Sequence, residues 1–173
     1  MPGSVIGINM TYGYPGTVSR HGDEVSRTRP TKLGENEVIL FGEPVVQNDD
    51  GTVSKFAEGK TATEFCGIAM RKVKSATVYP NQNFGYYSNQ EACDILQRGG
   101  IMVVCAWGTP KVGASVYLRT KVAVGTSPEN AKVGDLGAVN ETGNVIKLEG
   151  VKWSSGKDAR NVAELTITNR QGV

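Results

Sequence analysis

Histidine is almost missing from this sequence: His21 stands alone among 173 residues, and only three cysteines accompany it. A Ser-His-Asp or Cys-His centre would have to use His21, which lies in the Gly/Asp-rich stretch Arg20-His21-Gly22-Asp23-Glu24 with no nucleophile motif around it. One histidine and three scattered cysteines also make a poor zinc set. Cys66, Cys93 and Cys105 form no C-x-x-C pair, and each sits in or beside an apolar run. Buried, reduced thiols acting as small hydrophobes are the expectation.

Phosphate-binding glycine motifs are missing as well. Gly59-Lys60-Thr61 resembles the end of a phosphate loop, but Ser54 stands where its first glycine is required. Asn48-Asp49-Asp50-Gly51 lacks the remaining spaced oxygen ligands of a calcium loop. No catalytic residue, cofactor or metal ligand is therefore expected. A charge excess of one sign is also wanting, with 19 Lys+Arg against 17 Asp+Glu. Nothing forces the basic face that a nucleic-acid binder needs to neutralise phosphates. No run approaches the ~18 apolar residues of a membrane span. The N-terminus has neither the basic region nor the apolar stretch of a secretory signal, so synthesis in a cytoplasm is expected.

What is present is glycine, at 22 residues, and aliphatic side chains in short blocks. That mixture suits many short strands joined by turns. Residues 1–30 read as an extended N-terminal arm with one or two strand segments, or equally as the first strand of the sheet; Ile6, Ile8 and Met10 alternate there, and the glycines and prolines oppose a helix. Residues 31–173 read as the β-rich core domain. Val38 to Phe41 is a short apolar strand, and the Asp-Gly step at Asp50-Gly51 marks a hairpin. Phe65 to Val78 reads as a longer β run. Gly99-Gly100 releases a buried strand from Ile101 to Trp107.

Ala114 to Val124 alternates, with Val116, Leu118, Val122 and Val124 on one face and Tyr117, Arg119, Lys121 and Ala123 on the other. Gly150 falls where the apolar parity of Val145 to Trp153 switches, as at a bulge. Asn161 to Thr168 turns Ala163, Leu165 and Ile167 inward. Ser88 to Glu91 has capping-box spacing, so the following residues fit a two-turn helix as well as a strand. The expected fold is all-β: a single β-barrel or sandwich-like domain of about eight to ten short strands, with at most one short helix.

The segment Tyr79-Pro80-Asn81-Gln82-Asn83-Phe84-Gly85-Tyr86-Tyr87 is rich in aromatics and amides. It suits a recognition loop for protein or sugar, or a connection whose rings pack on the sheet. The order of pieces along the chain is similar to tailed-phage structural cement proteins. The similarity runs from Ile8-Asn9-Met10 and Gly13-Tyr14-Pro15-Gly16 through Thr28-Arg29-Pro30, Phe41-Gly42-Glu43-Pro44 and Phe65-Cys66-Gly67-Ile68. It continues in Tyr79-Pro80-Asn81-Gln82, Asp94-Ile95-Leu96-Gln97-Arg98-Gly99, Gly108-Thr109-Pro110, Val151-Lys152-Trp153 and Ala163-Glu164-Leu165-Thr166-Ile167.

That resemblance implies a non-enzymatic protein that coats the outer capsid surface of the virion and clamps neighbouring major capsid protein subunits, as a homotrimer. Its partners would be the capsid lattice and its own copies, with no direct nucleic acid and no membrane. The residues offered for such contacts are Ile6, Ile8, Met10, Tyr12, Tyr14, Arg27, Arg29, Tyr79, Tyr86 and Tyr87. A carbohydrate-binding or adhesion module stacking sugars on Tyr79, Tyr86 and Tyr87 is the alternative. A small β-barrel hydrolase with clustered carboxylates is the third reading.

Overall fold

The computed structural model describes residues 11–72 and 85–169. They form eleven strands: β1 Val25–Pro30, β2 Ile39–Leu40, β3 Pro44–Gln47, β4 Val53–Lys55, β5 Phe65–Ala69, β6 Tyr86–Tyr87, β7 Ala92–Trp107, β8 Ser115–Arg119, β9 Leu136–Gly137, β10 Val145–Trp153 and β11 Val162–Ile167. The helical content among the described residues is one 3-10 turn, Ala62–Glu64. The fold is all-β.

β7 is the spine. Its second half pairs with β11, which leads through β10, β8 and β9 back to β7, so five strands close into a ring with no free edge. The ring encloses the larger core, which includes Ile101, Val103, Cys105, Leu118, Leu148, Trp153 and Leu165. The first half of β7 carries β1 on one side and β5, β3 and β4 on the other. Thr31, just past β1, bridges Val53 of β4, and the Lys32 N–H donates to the Val53 carbonyl at 2.8 Å. This brings the second sheet round toward itself over a smaller core of Val45, Val53, Cys66, Cys93 and Ile95, with Ile39 and Tyr87 from the β2–β6 ladder. Each fully buried aliphatic or aromatic side chain contributes about 1.5–3 kcal/mol.

Local chemistry explains most of this. The Asp50-Gly51 turn joins β3 to β4, with Gly51 at φ 79°. Gly150, at φ 70°, sits at the register shift of β10, so Leu148 and then Val151 and Trp153 all reach the core. Ala163, Leu165 and Ile167 are buried as their alternation requires.

Three expectations are corrected and one open alternative is resolved. Gly99-Gly100 does not separate two strands. β7 runs through both glycines for sixteen residues and exchanges faces there, so Cys93 and Ile95 enter the small core while Ile101 and Val103 enter the large one. Gly99 at φ 122° and a bulge in β7, which carries Gln97 as the extra residue opposite the Val25–Ser26 step of β1, absorb the exchange. The helix–strand alternative after Ser88 resolves to strand. The Glu91 carboxylate does accept the Ser88 N–H at 2.8 Å, but Gln90 turns left-handed at φ 61° and its N–H is taken by the Thr31 carbonyl. The Ala114–Val124 alternation ends at Arg119: Val116 and Leu118 are buried, Val122 and Val124 are exposed, and Arg119 is buried instead of facing out. In the Phe65–Val78 run, β5 stops at Ala69, and the part from residue 73 lies outside the described residues.

The cysteines are all free and buried. Burial pushes the Cys66 and Cys105 thiols up to about 11 and raises Cys93 as well, so the thiolate is scarce at neutral pH. A disulfide-exchange reagent should therefore label none of them within minutes in native protein and three per chain after denaturation. Rapid labelling of two native thiols would contradict this arrangement.

Candidate contact surface

The surface is built from three features that the fold brings to the outside. The first begins where residues 12–19 lie along the sheet. The Tyr12 N–H donates to Asp158 at 3.0 Å, Gly16 N–H to the Met102 carbonyl at 2.7 Å, Met102 N–H to the Thr17 carbonyl at 2.9 Å, and Ser19 N–H to the Gly100 carbonyl at 3.0 Å. Gly16 and Gly42 permit the crossing: a Cβ on Gly42 would stand 2.8 Å from Pro15 Cβ. Tyr14 is thereby fixed at a rim, 57% exposed, with the Arg71 guanidinium 4.3 Å from its ring centroid. Below them opens a groove of about 430 Å³ whose walls include Leu40, Phe41, Val104, Ala106 and Leu136. Leu40 and Val104 are nearly half exposed.

The second feature lies on β1. Arg27 and Arg29 pair across the ladder with Ile95 and Cys93, so they share the face of the small core and are half-buried. Both act electrostatically on the Cys66 thiol, opposing the rise that burial imposes. The Arg29 Nε is buried without a hydrogen-bond partner. Neither arginine has an acidic partner among the described residues.

The third feature is a loop rooted in a buried charge. Arg119 has no exposed surface, and its guanidinium donates to both Glu141 oxygens at 2.9 and 3.0 Å and to the Ser127 carbonyl at 2.6 Å. It also lies 4.2 Å over the Trp107 ring. The hydrogen bonds from Arg119 hold the Glu141 carboxyl below the usual carboxylate range. Trp107 in turn rests on the backbone of Gly137, where a Cβ would stand 2.2 Å from the indole, and its Nε1–H donates to the Val139 carbonyl at 2.8 Å. This stack pins both ends of the 120–135 segment, whose outer turn presents Val122 and a completely exposed Val124.

Of the residues singled out in the sequence, Ile6, Ile8, Met10 and Tyr79 lie outside the described residues. Tyr12 and Tyr14 are exposed, Arg27, Arg29 and Tyr86 are half-buried, and Tyr87 is fully buried. The Tyr87 hydroxyl donates to the Met70 carbonyl at 2.7 Å, so its ring offers no stacking face to a sugar. Sequence reasoning missed Arg71, Leu40, Val104, Val122 and Val124. Only the pairing of strands shows which aliphatics face outward. The His21 ring is exposed beside Glu24 at 3.3 Å, and no group of three His, Cys, Asp or Glu among the described residues could hold a metal.

The arrangement offers contact surface: a groove, two half-buried cations and an apolar loop. The same fold occurs in a chain of the solved structure "The capsid of Myoviridae Phage XM1", which overlays with a TM-score of 0.71 over 96% of each chain at 14% identity. The fold is thus that of a β-barrel protein found in a phage capsid. The family model described as XM1 gp53 minor capsid protein matches residues 3–167, and the chain belongs to that family of capsid-associated structural proteins. No curated protein matches the sequence.

Proposed function

We propose that this protein is a non-enzymatic capsid cement protein that binds the outside of the phage head and clamps neighbouring major capsid subunits, acting as a homotrimer. The observation that carries this reading is the minor capsid family match over nearly the whole chain. The groove and exposed apolar loop supply surface of the kind that lattice contacts bury. A clamp works by linkage: a ligand that binds the assembled lattice but not separated subunits lowers the free energy of assembly. At a hundredfold excess over its dissociation constant, one such site contributes about 2.7 kcal/mol, repeated over the shell.

Heads lacking the protein are therefore expected to release DNA at a lower temperature than heads re-decorated with it. Coincident release curves, with the protein shown to be bound, would rule out cementing. The N-terminal arm is part of the proposal. Gly16 to Ser19 are hydrogen-bonded to β7 of the same chain, so the clamping contact is proposed for residues 2–10. Deleting residues 2–10 should leave a folded protein that binds heads, or trimerises, more weakly. Undiminished binding and trimer formation would remove the arm from the clamp.

A further inference from the structure

We infer that Arg27 and Arg29, with the edge of β1 that no other described segment pairs, form a docking site for an extended acidic segment of the capsid protein; this rests on the capsid-binding reading above. Three observations converge. Over Val25–Pro30 every inter-strand pairing runs to β7, and no other described segment hydrogen-bonds to the strand's far edge. An open edge supplies backbone donors and acceptors to an incoming strand. The two arginines project on one face of this strand, two residues apart, as alternate side chains of a partner strand would meet them.

Among the described residues the arginines also find no acidic partner, which half-buried guanidiniums normally have. Asp23 is engaged by Arg20 and Arg98, and Asp94, on the opposite face, by Lys72 and Thr28. A buried donor without an acceptor, such as Arg29 Nε, is unfavourable in the free protein. A carboxylate accepting from Nε and a terminal nitrogen is the group whose planar geometry fits a guanidinium best. No Asp or Glu occurs in residues 1–10, 73–84 or 170–173, so the chain's own remaining segments bring no acidic side chain, and neither does the arm of a second copy. With Asp23 and Asp94 already engaged, the acid is assigned to the capsid protein, and a second copy of this chain is separated from it by sedimentation of the protein without heads.

The test uses the full-length protein, the Arg27→Gln/Arg29→Gln double variant and the Arg29→Lys variant. The probes are bare heads, assayed by co-sedimentation, and a hexaglutamate peptide, assayed by chemical-shift perturbation. The double variant should bind heads about ten- to a hundredfold more weakly, the scale of one or more charged hydrogen bonds. Its thermal midpoint should stay the same or rise, because an unsatisfied buried donor has been removed. Arg29→Lys should bind with intermediate strength, since it keeps the charge without the planar fork. The peptide should shift resonances of β1 in the wild type and not in the double variant.

Undiminished head binding by the double variant would overturn the inference, as would a lowered midpoint that accounts for the loss. Preference of the pair for short duplex DNA over the peptide would replace the acidic partner with a phosphate one and overturn it too. If the wild type failed to sediment with heads yet bound the peptide through these arginines, the capsid reading would fall and the acid-binding site would stand.

Discussion

Replacing Glu141 with glutamine should lower the thermal midpoint by about 10 °C. Arg119 would keep its charge in a site with no exposed surface while losing the carboxylate that compensates it. Leaving one member of a buried pair uncompensated costs about 3–5 kcal/mol. In a domain of this size each kcal/mol moves the midpoint by roughly 2–4 °C. Arg119→Met should cost less despite removing more contacts, because it leaves no buried charge and Glu141 still reaches water at the surface.

The order of the two variants is the diagnostic, and a milder Glu141→Gln would show that the pair does not hold the loop. The same pair predicts an acid response. Its folded carboxyl titrates below the unfolded value of about 4.3, so its stabilisation is complete above that pH and is lost as pH falls through the folded value. Glu141→Gln should therefore flatten the acid limb of the stability profile measured by denaturant titration. An unchanged limb would mean that other carboxylates dominate it.

Gly67→Ala is expected to be comparably damaging for a backbone reason. Gly67 adopts φ 146°, and a Cβ there would stand 2.2 Å from the Leu96 carbonyl oxygen of β7. The unfavourable backbone conformation costs of order 1–3 kcal/mol. Forcing apart the β5–β7 ladder adds about 1–3 kcal/mol, the scale of an overpacked core. The obstacle is a main-chain atom of the central strand, so no side chain can swing aside to relieve it. Urea unfolding of Gly67→Ala should give an earlier midpoint with an unchanged slope. A midpoint within error of the wild type would show that the ladder yields there.

Much of the architecture could be read without coordinates wherever the determinant is local. The Asp50-Gly51 hairpin, the parity switch at Gly150 and the inward set Ala163, Leu165 and Ile167 each depend on residues within a few positions of one another. The contact surface was less legible. Arg119 reads as an outward residue because its partner, Glu141, lies 22 positions away on another segment. An arginine is almost never fully buried unless such a partner exists.

The sequence by itself determined that the chain would be β-rich and where many of its turns would fall, because alternation and turn chemistry act between near neighbours. The resemblance carried by its motifs pointed to the capsid family that the family match then showed. Tertiary structure decided that β7 would run unbroken through Gly99 and Gly100, and that β9, only two residues long, would complete a ring by parallel pairing with it. It also decided that Val122 and Val124 would stand in solvent while Arg119 went inside. These outcomes depend on which distant strands meet. Such pairings are selected by the joint burial of side chains from several segments, a quantity that no single stretch of sequence carries.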